Sequence, residues 1–285
     1  MKNLVIKKPI TLLEALRDLY PNSSNTTLRK LLKNKRVLVD NKAIVQGNYQ
    51  LKKDNCVSIR PLSIAISNGI HVIYEDKNFI VVNKPKGVLS VPLDTANANN
   101  VLQILRKHFQ TSAIFAVHRI DKDTSGVIMF AKNFESKKRL NLMFKNHDLK
   151  REYVAAVVGN LKENDGTWTS SLVEFNDYEV KTSSNIREGK IAITHFSVIK
   201  RSQKFTFLKL TLQTGRKHQI RVHCKEAGHP IVGDKKYGPP SCNPISRMCL
   251  HSSVLEFNNP FTDKKMHFSA PIPPQFAKLG LSNFS

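Results

Sequence analysis

A charged segment between two apolar runs is the feature that most constrains how this chain folds. Residues 113–117 read AIFAV and residues 127–131 read VIMFA, and short apolar runs of this kind are typical of buried strands. The segment between them, HRIDKDTSG, holds turn-forming residues but also Arg119 and Asp121. If 115–121 continues the first strand, both of these side chains point to the same side of it. Charged groups there must pair or face a cleft, and the residues alone leave both interpretations open.

Two metal sites are alternatives for this region. Asp121, Asp123, Ser125 and Gly126 match the first positions of a calcium loop, but its twelfth position, which needs a bidentate glutamate, is Lys132. A zinc-dependent base deaminase needs His-x-Glu and Pro-Cys-x-x-Cys, and neither pattern occurs. The phosphate-binding patterns GxGxxG and GxxxxGK[ST] do not occur either. The sequence therefore predicts an activity without metal, nucleotide or other cofactor.

Positive charge is in large excess. Forty-five Lys and Arg residues stand against 22 Asp and Glu, which gives a net charge of +23 over 285 residues and a pI of about 10.0. Such a chain repels itself, and nucleic acid is the leading candidate to neutralise it. A basic surface that is merely solvated is the alternative. The apolar content of 40% is that of a globular protein, and the length allows two domains.

The spacing of the cysteines and the lengths of the apolar segments indicate the cellular compartment that we expect for this protein. Cys56, Cys224, Cys242 and Cys249 show no CxxC spacing, so we expect free thiols. No segment approaches the roughly 18 apolar residues of a membrane span. The lysines that closely follow LVI near the N-terminus do not suit a signal peptide. We therefore expect a soluble, cytoplasmic monomer that contacts no membrane.

The first 60 residues have the pattern of a small module of two helices and short strands. Leucines at helical spacing predict helices over 11–20 and 26–34, and VLVDNKAIV predicts a strand, a turn and a strand. The second helix is basic outside its apolar face. The residues expected to contact RNA from this module are Arg29, Lys30, Lys33, Lys35 and Arg36. Over about residues 10–60 the pattern resembles the S4-like RNA-binding domain, with Lys53-Asp54-Asn55 in place of its glycine-aspartate turn; a dimerisation or packing module is the alternative.

The remaining sequence predicts a larger second unit. We expect domains at 1–62 and 70–285, joined by a linker at 63–69. Within the second domain, the apolar patterns predict a hairpin ending at Lys84-Pro85, helices at 101–109 and 135–144, a buried strand at 152–159, a strand pair over 193–214 and a helix that ends near Gly228.

The second unit resembles the RluA-type pseudouridine synthases. HRIDKDTSGVIMFAK looks like the signature HRLDxxTSGLLLFAK of that family, and three further segments agree in the same order: YEDKNFIVVNKPKGVLSVP, KREYVAAVVG and TGRKHQIRVHCKEAGHPIVGDKKYG. Together with the closing strands they span about residues 70–276. Ile120 and Lys217 depart from the usual residues. The resemblance implies an α+β fold, a pseudouridine synthase catalytic domain with a mixed, largely antiparallel sheet, behind the S4-like α/β domain.

The resemblance also implies an isomerase that converts selected uridines of RNA to pseudouridine. On the matching positions, Asp121 is the reacting carboxylate, Tyr153 stacks on the uracil and helps the C5 proton leave, and Arg221 keeps Asp121 ionised. Arg119 enters the space that the extruded base leaves, and Leu250 lines the pocket.

Each assignment has a structural alternative. In these alternatives Asp121 is a turn aspartate, Tyr153 fills the core and Arg221 lies on a solvated helix face. Arg119 is then an ion-pair partner, and Leu250 only packs against its neighbours. We expect Lys217 to face the RNA. Large-subunit (23S) ribosomal RNA is the expected substrate, and transfer RNA is the alternative. A non-catalytic RNA-binding or ribosome-assembly factor on the same fold is a competing function.

Overall fold

The computed structural model describes residues 3–21, 23–33, 36–40, 42–59, 64–92, 99–175, 179–183, 185, 188–239 and 244–281. The chain divides into two compact units, Met1–Ser63 and Ile64–Ser285. Each unit has an apolar core of its own.

The N-terminal unit packs two amphipathic helices on short strands. Its elements are β1 (Asn3–Val5), β2 (Ile10–Thr11), α1 (Leu12–Leu19), α2 (Asn25–Lys33), β3 (Val37–Val39), β4 (Lys42–Ala43), β5 (Gln50–Leu51) and β6 (Cys56–Ile59). Thr11 and Glu14 form a reciprocal capping box that begins α1. Leu16, Leu28 and Leu32 of the two helices are buried in the core. Four strands pair in the order β1-β6-β3-β4, and β2 pairs with β5, so the predicted helices and the hairpin are confirmed.

The turn at Lys53-Asp54-Asn55 explains how this module forms without the expected glycine. Asp54 has a φ of 72°, in the left-handed region that glycine adopts most easily and aspartate tolerates. Asn55 then accepts a hydrogen bond from the Lys52 amide and donates one to Asp40. Side-chain hydrogen bonds therefore stabilise a turn that lacks glycine.

The second unit is built on a long sheet flanked by three helices. Its elements are β7 (Ile64–Ala65), β8 (His71–Glu75), β9 (Phe79–Lys84), α3 (Val101–His108), β10 (Phe115–Ala116), β11 (Ser125–Ala131), α4 (Phe134–Asn146), β12 (Leu149–Val158), β13 (Asp165–Glu174), β14 (Val180–Ser183), β15 (Lys190–Arg201), β16 (Phe205–Leu212), α5 (Gln219–Glu226), β17 (Leu250–Asn258) and β18 (Lys265–Ser269).

The sheet is largely antiparallel, as predicted. Its main path runs β14-β13-β15-β16-β12-β17-β11-β9-β8-β7, with β10 on β11 and β18 on β17. Among the described strands of this sheet, only β11 and β17 pair in parallel, at Ser125 and Gly126. Gly126 has a φ of 117°, and a Cβ atom there would lie 2.0 Å from the carbonyl oxygen of Ser252. Only glycine lets the two backbones approach so closely at the start of β11.

Two expectations about local structure are corrected. The predicted linker 63–69 contains β7, which pairs with β8, and a 3₁₀ turn at Ser67–Gly69. The strand considered over 115–121 ends at Ala116. Beyond it, the amide of Ile120 donates to the Ser90 hydroxyl, which in turn donates to the Ile120 carbonyl. Because a side chain takes the place of a neighbouring strand here, 117–124 folds as a loop.

Candidate active site

A cavity of about 450 Å³ opens at the end of this loop, between β12 and the N-terminal end of α5. Its size and its mixture of apolar and charged walls are those of a small-molecule site. The structure brings five sequence-predicted residues together in its wall: Arg119, Asp121, Tyr153, Arg221 and Leu250.

The carboxylate of Asp121 is held by Arg221. The Nη1 of Arg221 donates to Oδ2 of Asp121 over 3.1 Å, and the Asp121 side chain is 21% exposed. Asp121 therefore has one fixed ionic partner and still faces the cavity. Arg119, which also lines the cavity, is exposed and forms no ion pair with Asp121 among the described residues, so the possibility of an Arg119–Asp121 ion pair is not realised.

Arg221 is itself fixed by a second, fully buried carboxylate. Its Nε and Nη2 donate to the two oxygens of Asp234 over 2.7 and 2.8 Å. Burial alone would lower the pKa of Arg221, but the carboxylates of Asp234 and Asp121 outweigh it and raise that pKa. Burial alone would raise the pKa of Asp234, but the hydrogen bonds from Arg221 lower it. One guanidinium is thus shared by two carboxylates.

His218 and Tyr237 brace the same corner. His218 has a φ of 54° at the start of α5, and its Nε2 lies 4.0 Å from Oδ2 of Asp121. Its Nδ1 is 2.8 Å from the hydroxyl of Tyr237, which accepts a hydrogen bond from the amide of Val180. The guanidinium of Arg221 lies over the Tyr237 ring at 4.9 Å. Burial lowers the pKa of His218, which favours its neutral form.

Segment 84–90 holds the loop on both sides of Asp121. The fully buried ammonium of Lys84 donates to the carbonyl oxygens of Pro85, Val88 and Lys122 over 3.0, 2.7 and 2.9 Å. On the other side, Ser90 exchanges two hydrogen bonds with Ile120. The segment NKPKGVLSVP and the segment HRID, far apart in sequence, thus form one rigid unit.

Tyr153 and Leu250 belong to the apolar part of the wall. Both are buried, at 6% and 3% exposure. The hydroxyl of Tyr153 forms a hydrogen bond with Ser252, and burial raises the pKa of Tyr153, so it stays a neutral phenol. Tyr153 occupies the strand position from which its ring can lie against a planar base.

His118 is a structural group rather than a base. Its Nε2 accepts a hydrogen bond from the amide of Met129, and its ring stacks on Phe144 at 4.5 Å. Burial, with a further contribution from the charge of Arg151, lowers the pKa of His118 to about 3. It is neutral and anchors the loop to β11.

The other predicted RNA contacts lie elsewhere. Lys217 does not belong to the cavity wall; it forms an ion pair with Glu174 at the surface. Arg29 and Lys33 are exposed on α2, and Arg36 is half-buried before β3. Lys35 and the side chain of Lys30 lie outside the described residues.

Asp234 and Arg151 are the cavity-related groups that sequence reasoning missed. Asp234 follows the apolar pair Ile231-Val232 and Gly233, in a segment assigned to the family pattern but given no role. A buried aspartate that follows a short apolar run was the available signal. Arg151, two residues before Tyr153, shares its face of β12 and lines the cavity.

No cluster of three or more His, Cys, Asp or Glu residues able to hold a metal occurs in the described part of the chain. Cys56, Cys224 and Cys249 are free thiols, and Cys242 lies outside the described residues. In the ranges that the structure covers, no helix is long and apolar enough to cross a membrane.

Comparison with known proteins identifies the family. A family model described as RNA pseudouridylate synthase matches residues 78–226, more than half of the chain. The chain belongs to the RNA pseudouridylate synthase family. The predicted family is confirmed, and with it the enzyme class, an isomerase that acts on RNA.

Relatives of this synthase match over most of their length. An uncharacterized RNA pseudouridine synthase of Bacillus subtilis, YlyB, is 35% identical over 90% of this chain and 88% of that protein. The ribosomal large subunit pseudouridine synthase D of Pseudomonas aeruginosa is 29% identical over 92% of this chain and 88% of that protein. The human RNA pseudouridylate synthase domain containing 1 has a similar solved structure, with a TM-score of 0.60, 25% identity and coverage of 71% and 83% of the two chains.

Proposed function

We propose that this synthase converts selected uridines of large-subunit ribosomal RNA to pseudouridine and that Asp121 is its reacting carboxylate. The observation that carries the proposal is the position of Asp121: it faces a cavity large enough for a nucleoside, and a buried Arg221–Asp234 pair holds it in place. A carboxylate that is fixed by a guanidinium in a partly buried cleft is suited to covalent or base catalysis.

The reaction breaks the N1–C1′ bond of uridine, turns the free uracil and joins its C5 to C1′. Asp121 attacks the sugar as a nucleophile or removes a proton from C2′, and in both roles the Arg221 guanidinium holds its carboxylate in position. Since the ion pair is already formed before substrate arrives, little reorganisation is needed during the reaction.

Tyr153 supports the base while it is free. The buried ring stacks on uracil, and the neutral hydroxyl, held by Ser252, passes on the proton that leaves C5. Leu250 closes the other part of the wall and keeps water away from the reactive sugar.

Arg119 is placed to assist the first step, in which the target uridine is extruded from the folded RNA. A target uridine inside folded RNA must be extruded before it can reach Asp121, which costs a few kcal/mol of stacking. Arg119 is exposed at the cavity and makes no ion pair within the described part of the chain. Its guanidinium is therefore available to fill the space that the base vacates.

The N-terminal unit supports RNA binding and the choice of RNA. Its two helices, its small antiparallel sheet and the exposed Arg29 and Lys33 on α2 fit the proposed S4-like domain, which would supply phosphate contacts. The similarity over nearly the full length to a ribosomal large subunit pseudouridine synthase supports ribosomal RNA as the substrate.

Tritium release tests the chemistry. We expect the protein to release tritium from C5-tritiated uracil in large-subunit ribosomal RNA, and Asp121→Asn to abolish the release while retaining RNA binding. Asp123→Asn is the matched control: it lies in the same turn, is exposed and should retain activity.

Full activity of Asp121→Asn would contradict the role of Asp121. RNA binding by the wild-type protein without tritium release would favour the non-catalytic alternative. Mapping of pseudouridines in total RNA with and without the protein identifies the substrate, and new sites in transfer RNA alone would overturn ribosomal RNA.

A further inference from the structure

Arg151 is a buried cation without an ion-pair partner among the residues that the structure describes. Its side chain lines the active-site cavity, the residue is 9% exposed, and its Nε is buried without a hydrogen-bond partner. In the described part of the chain its guanidinium forms no ion pair, and its sequence neighbour Glu152 is paired with Lys150 instead. Burial lowers the pKa of Arg151, but an arginine remains charged at neutral pH.

Gly215 provides the space in which the guanidinium of Arg151 lies. A Cβ atom at Gly215 would lie 2.4 Å from Nη1 of Arg151, so the glycine lets the guanidinium pack against the backbone before α5. Burying an unpaired charge is costly, and an apolar residue in this position would stabilise the fold more. The requirement for Arg151 must therefore come from something that enters the cavity.

The charge balance of the cavity indicates what that is. Arg221 is neutralised by Asp121 and Asp234, and the other arginines and lysines of the wall, Arg119, Lys145 and Arg216, are exposed to solvent. Arg151 is thus the cation of the described wall that is both buried and uncompensated. It complements a negative charge that exists only when substrate is present or reacting.

We propose that Arg151 is a further catalytic residue, whose guanidinium binds the carbonyl oxygen of uracil that becomes anionic when the glycosidic bond breaks. The proposal rests on the pseudouridine synthase activity proposed above. Arg151 and Tyr153 lie two residues apart on the same face of β12 and are buried to similar depth, 9% and 6% exposed. A cation at this depth is placed to contact the base, whereas the exposed cations of the wall are placed to contact phosphates.

The electron balance of the reaction explains the requirement. When N1–C1′ breaks, its electron pair stays on uracil and spreads over N1, C5 and the two carbonyl oxygens, while C1′ bonds to the Asp121 carboxylate or, if Asp121 acts as a base, forms a double bond to C2′ after the C2′ proton leaves. When C5 joins C1′, the bond from C1′ to Asp121 breaks or C2′ takes its proton back, the C5 proton leaves and N1 gains a proton. Arg151 lowers the energy of the intermediate anion without giving up a proton, and no oxidant or reductant is needed.

Kinetics of Arg151→Met with large-subunit ribosomal RNA test the proposal. We expect kcat to fall by about 100-fold, the usual effect of removing one preorganised donor to a developing anion, with KM unchanged. Arg151→Lys, which keeps the charge but loses the planar fork, should recover part of the loss. Lys150→Met, on the opposite face of β12, is the matched control and should leave both constants unchanged.

The unfolding stability of Arg151→Met distinguishes a catalytic role of Arg151 from a structural role. The midpoint of denaturant unfolding should stay the same or rise in Arg151→Met, because an unpaired buried charge is removed. An unchanged kcat in the folded variant, or a kcat loss accompanied by a lower unfolding midpoint, overturns the proposal while the wild-type activity still stands. A rise in KM alone would place the contact on a phosphate and overturn the assignment to uracil.

RNA with 5-fluorouridine at the target position gives a sharper readout. Fluorine withdraws electrons and stabilises the uracil anion. Because C5 then carries no hydrogen, the readout on both bases is the single-turnover rate at which the N1–C1′ bond of the target nucleoside is broken, and the loss in Arg151→Met should be smaller on 5-fluorouridine than on uridine. An equal loss on both bases would contradict stabilisation of the departing base.

Discussion

Each side of the cavity holds a buried arginine, and the two arginines differ in whether a carboxylate of the described residues pairs with them. On the α5 side, Arg221 is bound by Asp121 and Asp234 and packed on Tyr237. On the β12 side, Arg151 has no such partner within the described residues, and a backbone glycine makes space for it. The paired Arg221 fixes Asp121, whereas the role that we propose for the unpaired Arg151 is to bind a charge that arises with the substrate. The first should matter for both folding and catalysis, the second for catalysis alone.

The largest effect is expected from Asp234→Asn, which breaks the buried pair on the α5 side. Removing one partner of a buried ion pair typically costs about 3–5 kcal/mol of unfolding free energy. Because Arg221 loses its anchor, Asp121 shifts, and a small misplacement of a reacting group can lower kcat by about 100-fold. Denaturant unfolding and tritium release measure the two effects.

Glu174→Gln is the matched control for that experiment. It breaks the surface pair with Lys217, and exposed pairs contribute about 1 kcal/mol or less. Equal destabilisation by the two variants would contradict the difference between the buried network and the surface.

An intermediate effect is expected from pH, through His118 on the β12 side. Burial first, and the charge of Arg151 second, lower the pKa of His118 to about 3 in the folded protein, from about 6.5 in the unfolded chain. As the pH falls below 6.5, the unfolded state binds a proton that the folded state does not. The stability contribution of neutral His118 is therefore present above pH 6.5 and is lost by about 1.4 kcal/mol per pH unit toward pH 3.

Arg151→Met should reduce this loss, because the second cause of the low pKa disappears. The difference in unfolding free energy between pH 7.5 and pH 4.5 measures it. His223 and His251, whose pKa values burial lowers to about 4, contribute to the same window in both proteins, so they cancel in the comparison. Identical pH dependence of the two proteins would show that Arg151 does not act on His118.

The smallest effect is expected from Tyr237→Phe, which removes the hydroxyl group that contacts His218 at the start of α5. The hydroxyl joins His218 to the amide of Val180, and loss of one such bond costs about 1 kcal/mol. His218 then orients less well toward Asp121, so kcat should fall by a few-fold with KM unchanged. Tyr74→Phe, which removes a hydroxyl bonded to Asp76 outside the cavity wall, should leave kcat unchanged.

Local patterns in the sequence were sufficient for the helices, most strands and the central residues of the site. Leucine spacing predicted α1 and α2, and the resemblance of four segments brought Asp121, Tyr153 and Arg221 to one cavity. The strand over 115–121 was wrong because Ser90, some 30 residues earlier, provides the hydrogen bonds that a neighbouring strand would have made. Local alternation cannot report a partner so distant.

The sequence by itself determined the family and the basic character of the chain, and it indicated Asp121 as the proposed reacting carboxylate, since these depend on residue identity and short-range order. Only the tertiary structure decided which charges are compensated. Asp234 lies 13 residues after Arg221, and Asp121 lies 100 residues before Arg221. Whether a buried charge is paired depends on distances of a few ångströms across the folded core, because hydrogen bonds form only over about 3 Å and Coulomb attraction weakens with distance.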